Sequence, residues 1–173
     1  LTRPGTFAPT QRLDILFDYL NANDKKMKNR ALVRFHAGTS EVMARLSLLD
    51  RDEIEPGEKA YAQLFVAAPS VVMAGDRFVI RSYSPVTTIG GGQVIDPLPR
   101  KHKRHSDRVI QEFHHLHHGA DLEKISAVIA RSSLAGIDLQ GLVIRSGFPP
   151  VQVQKGLEML FSRKMAILLD RED

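Results

Sequence analysis

The apolar residues of this chain change period once, near Pro97, and that switch limits its fold more than any other feature. From Arg12 to Ile95 they alternate: Leu13, Ile15, Phe17 and Tyr19, then Val42, Ala44, Leu46 and Leu48, then Ala60, Ala62, Leu64 and Val66, and later Phe78 with Ile80. A period of two places each set on one face of a strand. Turn signals separate the runs at Glu55-Pro56-Gly57-Glu58, Ala74-Gly75-Asp76 and Gly90-Gly91-Gly92. Six or seven short strands at this spacing, within about 90 residues, predict a small closed antiparallel β barrel.

After Pro97 and Pro99 the spacing becomes helical. Ser106 is expected to cap a helix carrying Val109, Phe113 and Leu116 and ending near Gly119, and Asp121 to cap a second with Leu122, Ile125, Val128 and Ile129 inward. A third runs from Asp138 through Leu139, Leu142 and Val143, and Ser146-Gly147-Phe148-Pro149 reads as a tight turn. Pro150 then opens a fourth, with Val153, Leu157, Leu160 and Phe161 on one stripe, and Met165 to Leu169 reads as a closing strand. Helix, turn, helix and strand make the core of a winged-helix domain. The expected architecture is multidomain, β then α: a barrel over residues 1–97, a basic linker helix over 98–118 and a winged-helix domain over 119–173.

Charge follows the same division. Residues 1–97 carry 12 basic and 11 acidic groups, 98–118 carry five and two, and 119–173 carry seven of each, so three of the four excess charges fall on the junction. Six of the seven histidines lie there too. With no Cys, disulfide scaffolds, thiolate zinc sites and cysteine nucleophiles are excluded, which fits a reducing compartment and a cytoplasmic location. No stretch approaches the roughly 18 apolar residues of a membrane-spanning helix, and no membrane partner is expected. A chain that starts at Leu1 and breaks off just after its last strand-like run reads as a piece of a longer one.

Chemistry motifs are sparse. No Gly-rich string followed by Lys and Ser or Thr is present to cradle phosphates, and Gly90 to Gly92 precede a strand-like run, so a bend or bulge is the expected explanation. His102 with His105, and His114 with His118, have helical spacing without converging ligands, so no metal site is expected. The acidic group Asp50, Asp52, Glu53, Glu55 and Glu58 reads as a solvated loop. Without a nucleophile elbow or paired carboxylates, no catalytic residue and no enzyme activity are expected in this piece. Basic residues are more telling: Lys25, Lys26, Lys28, Arg30 and Arg34 cluster before and within one strand, and Arg77 and Arg81 lie on the outward side of another, an arrangement that suits phosphates. In the helix opened by Pro150 the first basic residue is Lys155, which serves a major-groove reader poorly. Two other readings stand beside nucleic-acid binding by the barrel: a non-catalytic protein-interaction scaffold and a winged-helix DNA-binding regulator.

Specific strings narrow the choice. Val33-Arg34-Phe35-His36-Ala37-Gly38-Thr39-Ser40-Glu41-Val42, Ile54-Glu55-Pro56-Gly57-Glu58, Asp76-Arg77-Phe78-Val79-Ile80-Arg81 and Thr88-Ile89-Gly90-Gly91-Gly92-Gln93-Val94-Ile95-Asp96-Pro97 resemble, in order, the third domain of translational GTPases of the elongation factor Tu type. Followed by a basic linker and winged-helix pattern, they resemble the bacterial selenocysteine-specific elongation factors. The resemblance implies a parent protein that uses GTP and Mg, bound upstream of Leu1, to deliver selenocysteyl-tRNA to the ribosome at UGA codons. It further implies an mRNA hairpin bound by domains beyond Asp173. By position it implies tRNA contacts from Arg34, His36, Arg81, Tyr83 and Thr87, with Lys28 and Arg30 adding field. Ala68 stands before Pro69 where some ordinary factors have a basic residue, and Ser82-Tyr83-Ser84-Pro85 replaces a shorter Gly-containing turn. Both departures fit a different tRNA shape.

Two stability expectations follow from the strand faces. Phe78→Ala or Leu46→Ala is expected to open a cavity and cost roughly 2–5 kcal/mol. Substitutions at His102 or His105 are expected to be nearly neutral.

Overall fold

The structure, a computed structural model, describes residues 9–132 and 135–168. Strands β1 (Thr10–Tyr19), β3 (Ala31–Ala37), β4 (Ser40–Leu48), β6 (Lys59–Ser70), β7 (Arg77–Ser82) and β8 (Thr88–Asp96) close into an antiparallel barrel in the order β1-β6-β4-β3-β7-β8. Two short strands, β2 (Met27–Lys28) and β5 (Glu53–Ile54), pair across one end. The alternation holds: Leu13, Ile15, Phe17, Phe35, Leu46, Leu64 and Ile80 are fully buried inside, and Phe78 is 4% exposed. The large cost expected at Phe78 and Leu46 therefore stands, and an unfolding titration measures it.

The glycine triplet differs from the expectation. It is not a turn between strands but lies within β8, where Gly90, Gly91 and Gly92 pair with Tyr19, Asp18 and Phe17 on one side. On the other side the same glycines face Ile80, Val79 and Phe78. Side chains are excluded because neighbouring backbone is too close: a Cβ on Gly90 would lie 2.5 Å from the Asp18 carbonyl oxygen, and one on Gly91 2.6 Å from that of Phe78.

Four helices follow: α1 (Asp107–His118), α2 (Asp121–Ser132), α3 (Leu139–Ser146) and α4 (Pro150–Ser162). Asp138 caps α3 by accepting from the Gly141 N–H at 2.7 Å, and Gly147 ends it in the left-handed conformation. Asp121 begins α2 rather than capping it. The Ala120 N–H is instead satisfied by Glu123, and Asp121 accepts from Gln152 of α4. Val153 and Leu160 are buried and Leu157 half-buried as expected, but Phe161 is exposed. Gly156 lets α4 approach Ile125 closely, since a Cβ there would sit 2.5 Å from the Ile125 Cδ1. The closing strand is not formed over 165–168, which are irregular and mostly exposed, and Leu169 lies outside the described residues. Met165 N–H bonds to the Leu160 carbonyl, spending a donor that a strand would use.

The barrel wears two different outer faces. On one side Leu49 and Ile95, buried, with Leu16 and Tyr61, half-buried, form a second apolar cluster with Phe113, Leu116, Val128, Leu142 and Val153 of the helices. Phe113, at 0% exposure, meets the Tyr61 ring edge-on at 5.4 Å. The helices therefore pack on the barrel through a shared hydrophobic contact, the dominant favourable contribution to such association. The opposite side, around β3 and β7, is left uncovered by the described residues.

Candidate nucleic-acid interface

On that open side the strand period carries Leu32, Arg34 and His36 of β3 outward, beside Arg77, Val79 and Arg81 of β7. Register sets their neighbours: Arg34 faces Arg81 on one side and Met43 on the other, while His36 faces Val79 and Glu41. Two guanidiniums opposite each other on adjacent strands repel. Glu41 answers part of that charge, accepting from Arg34 Nη1 at 2.6 Å and lying 3.9 Å from His36 Nε2. The Arg34 hydrogen bond, with the charges of His36, Arg34 and Arg81, holds the Glu41 carboxyl below its usual range. One carboxylate thus serves three basic side chains. Arg34 Nε and His36 Nε2 are buried and, among the described residues, without hydrogen-bond partners.

The loop after β7 adds an aromatic rim. Arg34 stacks over Tyr83 at 5.9 Å, and Tyr83 and Val86 are exposed. Ser82 and Thr87 pin the loop base: Ser82 N–H bonds to the Thr87 carbonyl at 2.9 Å, and Thr87 N–H to Ser82 Oγ at 3.1 Å. Ser82 Oγ also bonds to the Pro85 carbonyl, and the Ser84-Pro85 peptide is cis. Arg81 Nε lies 3.4 Å from Thr88 Oγ1.

Of the residues singled out in the sequence, Arg34, His36, Arg81 and Tyr83 come together, with Thr87 at the loop base. Arg30 stands apart at the start of β3, in the left-handed conformation, its carbonyl accepting from Arg45. Lys28 lies on β2 opposite Glu53, and the Lys26 ammonium is held by Glu53 and Glu55, so the basic cluster of 25–34 is partly neutralised. Arg45 was not anticipated. It is exposed on β4 opposite Leu32 and extends the basic face, and its position between inward Ala44 and Leu46 is the signal that finds it. The acidic loop of 50–58 is ion-paired rather than simply solvated: Arg51 bridges Asp50 and Glu58, and Arg104 holds Asp52.

The junction holds a buried charge network. The stretch expected as a linker helix is helical only from Asp107, and before it the chain is irregular, with a turn at Arg104 and His105, and lies against the barrel. There Arg104 donates to the carbonyls of Leu48 and Arg51, and His105 N–H to that of Leu49. Asp14, 0% exposed, accepts from Gln63 at 2.8 Å and Arg131 at 2.9 Å, and its carboxylate lies 2.7 Å from His102 Nε2. Burial lifts the Asp14 carboxyl above its usual range, and His102 and Arg131 pull it partly back. Asp96 accepts both Nε and Nη2 of Arg145. The expectation that His102 is replaceable is therefore wrong, because its ring is packed on Phe113 and partners a carboxylate that water does not reach. His102→Ala should cost about 1–3 kcal/mol, since it leaves Asp14 short of a partner. A urea titration against the parent chain measures it, with His105→Ala, whose ring is exposed, as the near-neutral comparison.

Residues 16–101, which span the barrel from β1 through β8, match the family model described as the beta-barrel domain of selenocysteine-specific elongation factor. All 173 residues align at 33% identity with a selenocysteine-specific elongation factor of Desulfomicrobium baculatum. The chain belongs to the selenocysteine-specific elongation factor family. It spans 27% of the length of that relative. Within this family assignment the open β3–β7 face is part of the barrel itself, whereas α1 to α4 lie beyond the family model and are covered by the alignment with the relative. Among the described residues no group of three or more His, Asp or Glu is placed to hold a metal ion, and no helix is long and apolar enough to cross a membrane.

Proposed function

We propose that the chain is a central section of a factor that delivers selenocysteyl-tRNA to the ribosome at UGA codons, and that the outer face of β3 and β7 helps hold the tRNA. The observation that carries this is the opposed pair Arg34 and Arg81, left with one shared carboxylate and rimmed by Tyr83. A phosphate backbone supplies the missing negative charge and an exposed aromatic ring gives a stacking surface. Arg34, His36, Arg81, Tyr83 and Thr87 form the contact, with Lys28, Arg30 and Arg45 adding field. The barrel occupies residues 1–97, the basic segment 98–118 docks the arm, and residues 119–173 form the arm that bridges toward an mRNA-hairpin-binding part of the whole protein.

The chain is not itself an enzyme. GTP and Mg belong to another part of the whole protein, acting in the cytoplasm, because no Gly-rich string with its Lys and Ser or Thr is present here to hold them. In α4 the exposed first turn offers Val151 before any basic residue, which suits a spacer rather than a duplex reader.

Charge substitution tests the assignment. Arg34→Ala and Arg81→Glu should each weaken tRNA binding by the intact chain about tenfold, roughly 1.4 kcal/mol, while Lys155→Glu on α4 leaves it unchanged. Equal binding by all three variants would favour the protein-scaffold alternative.

A further inference from the structure

A second basic surface lies where the irregular segment after β8 meets α1 and α2. A cleft of about 490 Å³ opens there, with Arg100, Lys101, His102, Arg108, Arg131 and Arg145 among its lining residues. Glu112 is the acidic residue of that lining, and it is engaged by Arg108 at 2.9 Å. The carboxylates that balance the cleft's arginines, Asp14 and Asp96, are buried at 0% and 1% exposure.

The cations differ in how fully they are used. Arg145 gives Nε and Nη2 to Asp96 and Nη1 to Ser132. Arg131 gives Nη2 to Asp14 and stacks over Phe113, but its Nη1 is buried and, among the described residues, has no hydrogen-bond partner. Buried polar atoms are almost always partnered, so the orphaned guanidinium N–H of this lining residue marks a missing acceptor. At the mouth, Arg100 and Lys101 are exposed and, among the described residues, their side chains make no ion pair. Val109, Ala127 and Ala130 complete the wall with apolar surface, which strengthens any charge interaction made there.

We propose that this cleft binds a phosphate group, with Arg100 and Lys101 as the outer clamp and Arg131 Nη1 as the inner donor. Guanidinium with ammonium suits the tetrahedral oxyanion, the first through directed hydrogen bonds and the second as a point charge. The phosphate comes either from an RNA backbone or from a free phosphate-bearing small molecule. None of these residues belongs to the β3–β7 face, so the site stands or falls apart from the proposed function.

The whole chain is titrated with inorganic phosphate and, separately, with a single-stranded RNA oligonucleotide, following the amide signals of residues 100–102 and the Arg131 side chain by NMR. Saturable shifts at these positions are expected, with affinity at least tenfold weaker in the Arg100→Glu/Lys101→Glu double variant and unchanged in Lys155→Glu. Both substituted residues of the double variant are exposed, and an unaltered unfolding midpoint confirms its fold. Weakened RNA binding assigns the site to an RNA backbone. RNA binding that is unchanged while phosphate binding is lost assigns it to a free phosphate or nucleotide. Absence of saturable shifts with both probes overturns the proposal, as does binding indifferent to the double variant.

Discussion

Asp96→Ala is expected to lower the stability of the chain by about 5 kcal/mol, the upper end of the cost of breaking a buried ion pair. The size comes from geometry. Asp96 is 1% exposed, accepts from Arg145 at 3.1 and 2.7 Å and from the Leu98 N–H at 3.0 Å, and lies 3.6 Å from Arg131 Nε. A single deletion strips Arg145, 11% exposed, of its carboxylate and leaves Arg131, equally buried, with Asp14 alone. The damage should fall first on the barrel–helix contact, because Arg131 and Arg145 stand on α2 and α3 while Asp96 ends β8. Hydrogen exchange under increasing urea reads both quantities. Amides of α2 and α3 should lose protection before those of the barrel, and a total loss below about 1 kcal/mol, the worth of a surface pair, would show that water reaches the network.

Gly92→Ala should be nearly as severe, about 5 kcal/mol from two sources. The added Cβ would sit 1.9 Å from the Leu16 carbonyl oxygen and 3.0 Å from the Phe78 ring, a collision with backbone that no rotamer relieves. Overpacking of this kind costs up to about 3 kcal/mol. Gly92 also has φ +153, a conformation rarely adopted by residues with side chains, which adds about 2 kcal/mol. Moving β8 away from β1 would open the ladder that closes the barrel, so the strain has no cheap outlet. Gly38, whose Cβ would meet nothing within 4 Å, gives the comparison: its φ of +56 also disfavours a side chain, but Gly38→Ala adds no collision. Thermal or urea unfolding of the two variants should separate them by about 3 kcal/mol. Equal losses would mean that β1 and β8 are not in close contact.

The strands were legible because a barrel interior accepts only apolar side chains, so Leu13, Ile15 and Phe17 must alternate with what lies outside. The helices were legible because caps and stripes are local, as at Asp138 and Val153. Features that depend on distant segments were not. The triplet at Gly90 looks like a turn until its two flanking strands are in place, and Met165 to Leu168 carry an apolar pattern that the described structure leaves unpaired. The network of Asp14, Asp96, His102, Arg131 and Arg145 draws on positions scattered over the chain, and no periodicity links them. One clue was present: Leu16 and Tyr61 are apolar at outward positions beside Asp14 and Gln63, the mark of a barrel face that something covers. The basic face was readable one strand at a time, whereas the opposition of Arg34 to Arg81 and the sharing of Glu41 depend on register.

Salt dependence of tRNA binding by the intact chain decides whether the β3–β7 face grips a phosphate backbone. With about four phosphate contacts, the logarithm of the association constant should fall against the logarithm of salt with a slope of about −3. Arg81→Gln, which removes one contact, should make that slope shallower by about 1. A slope near zero, or one that substitution of Arg34 and Arg81 leaves unaltered, would contradict the assignment of this face to tRNA.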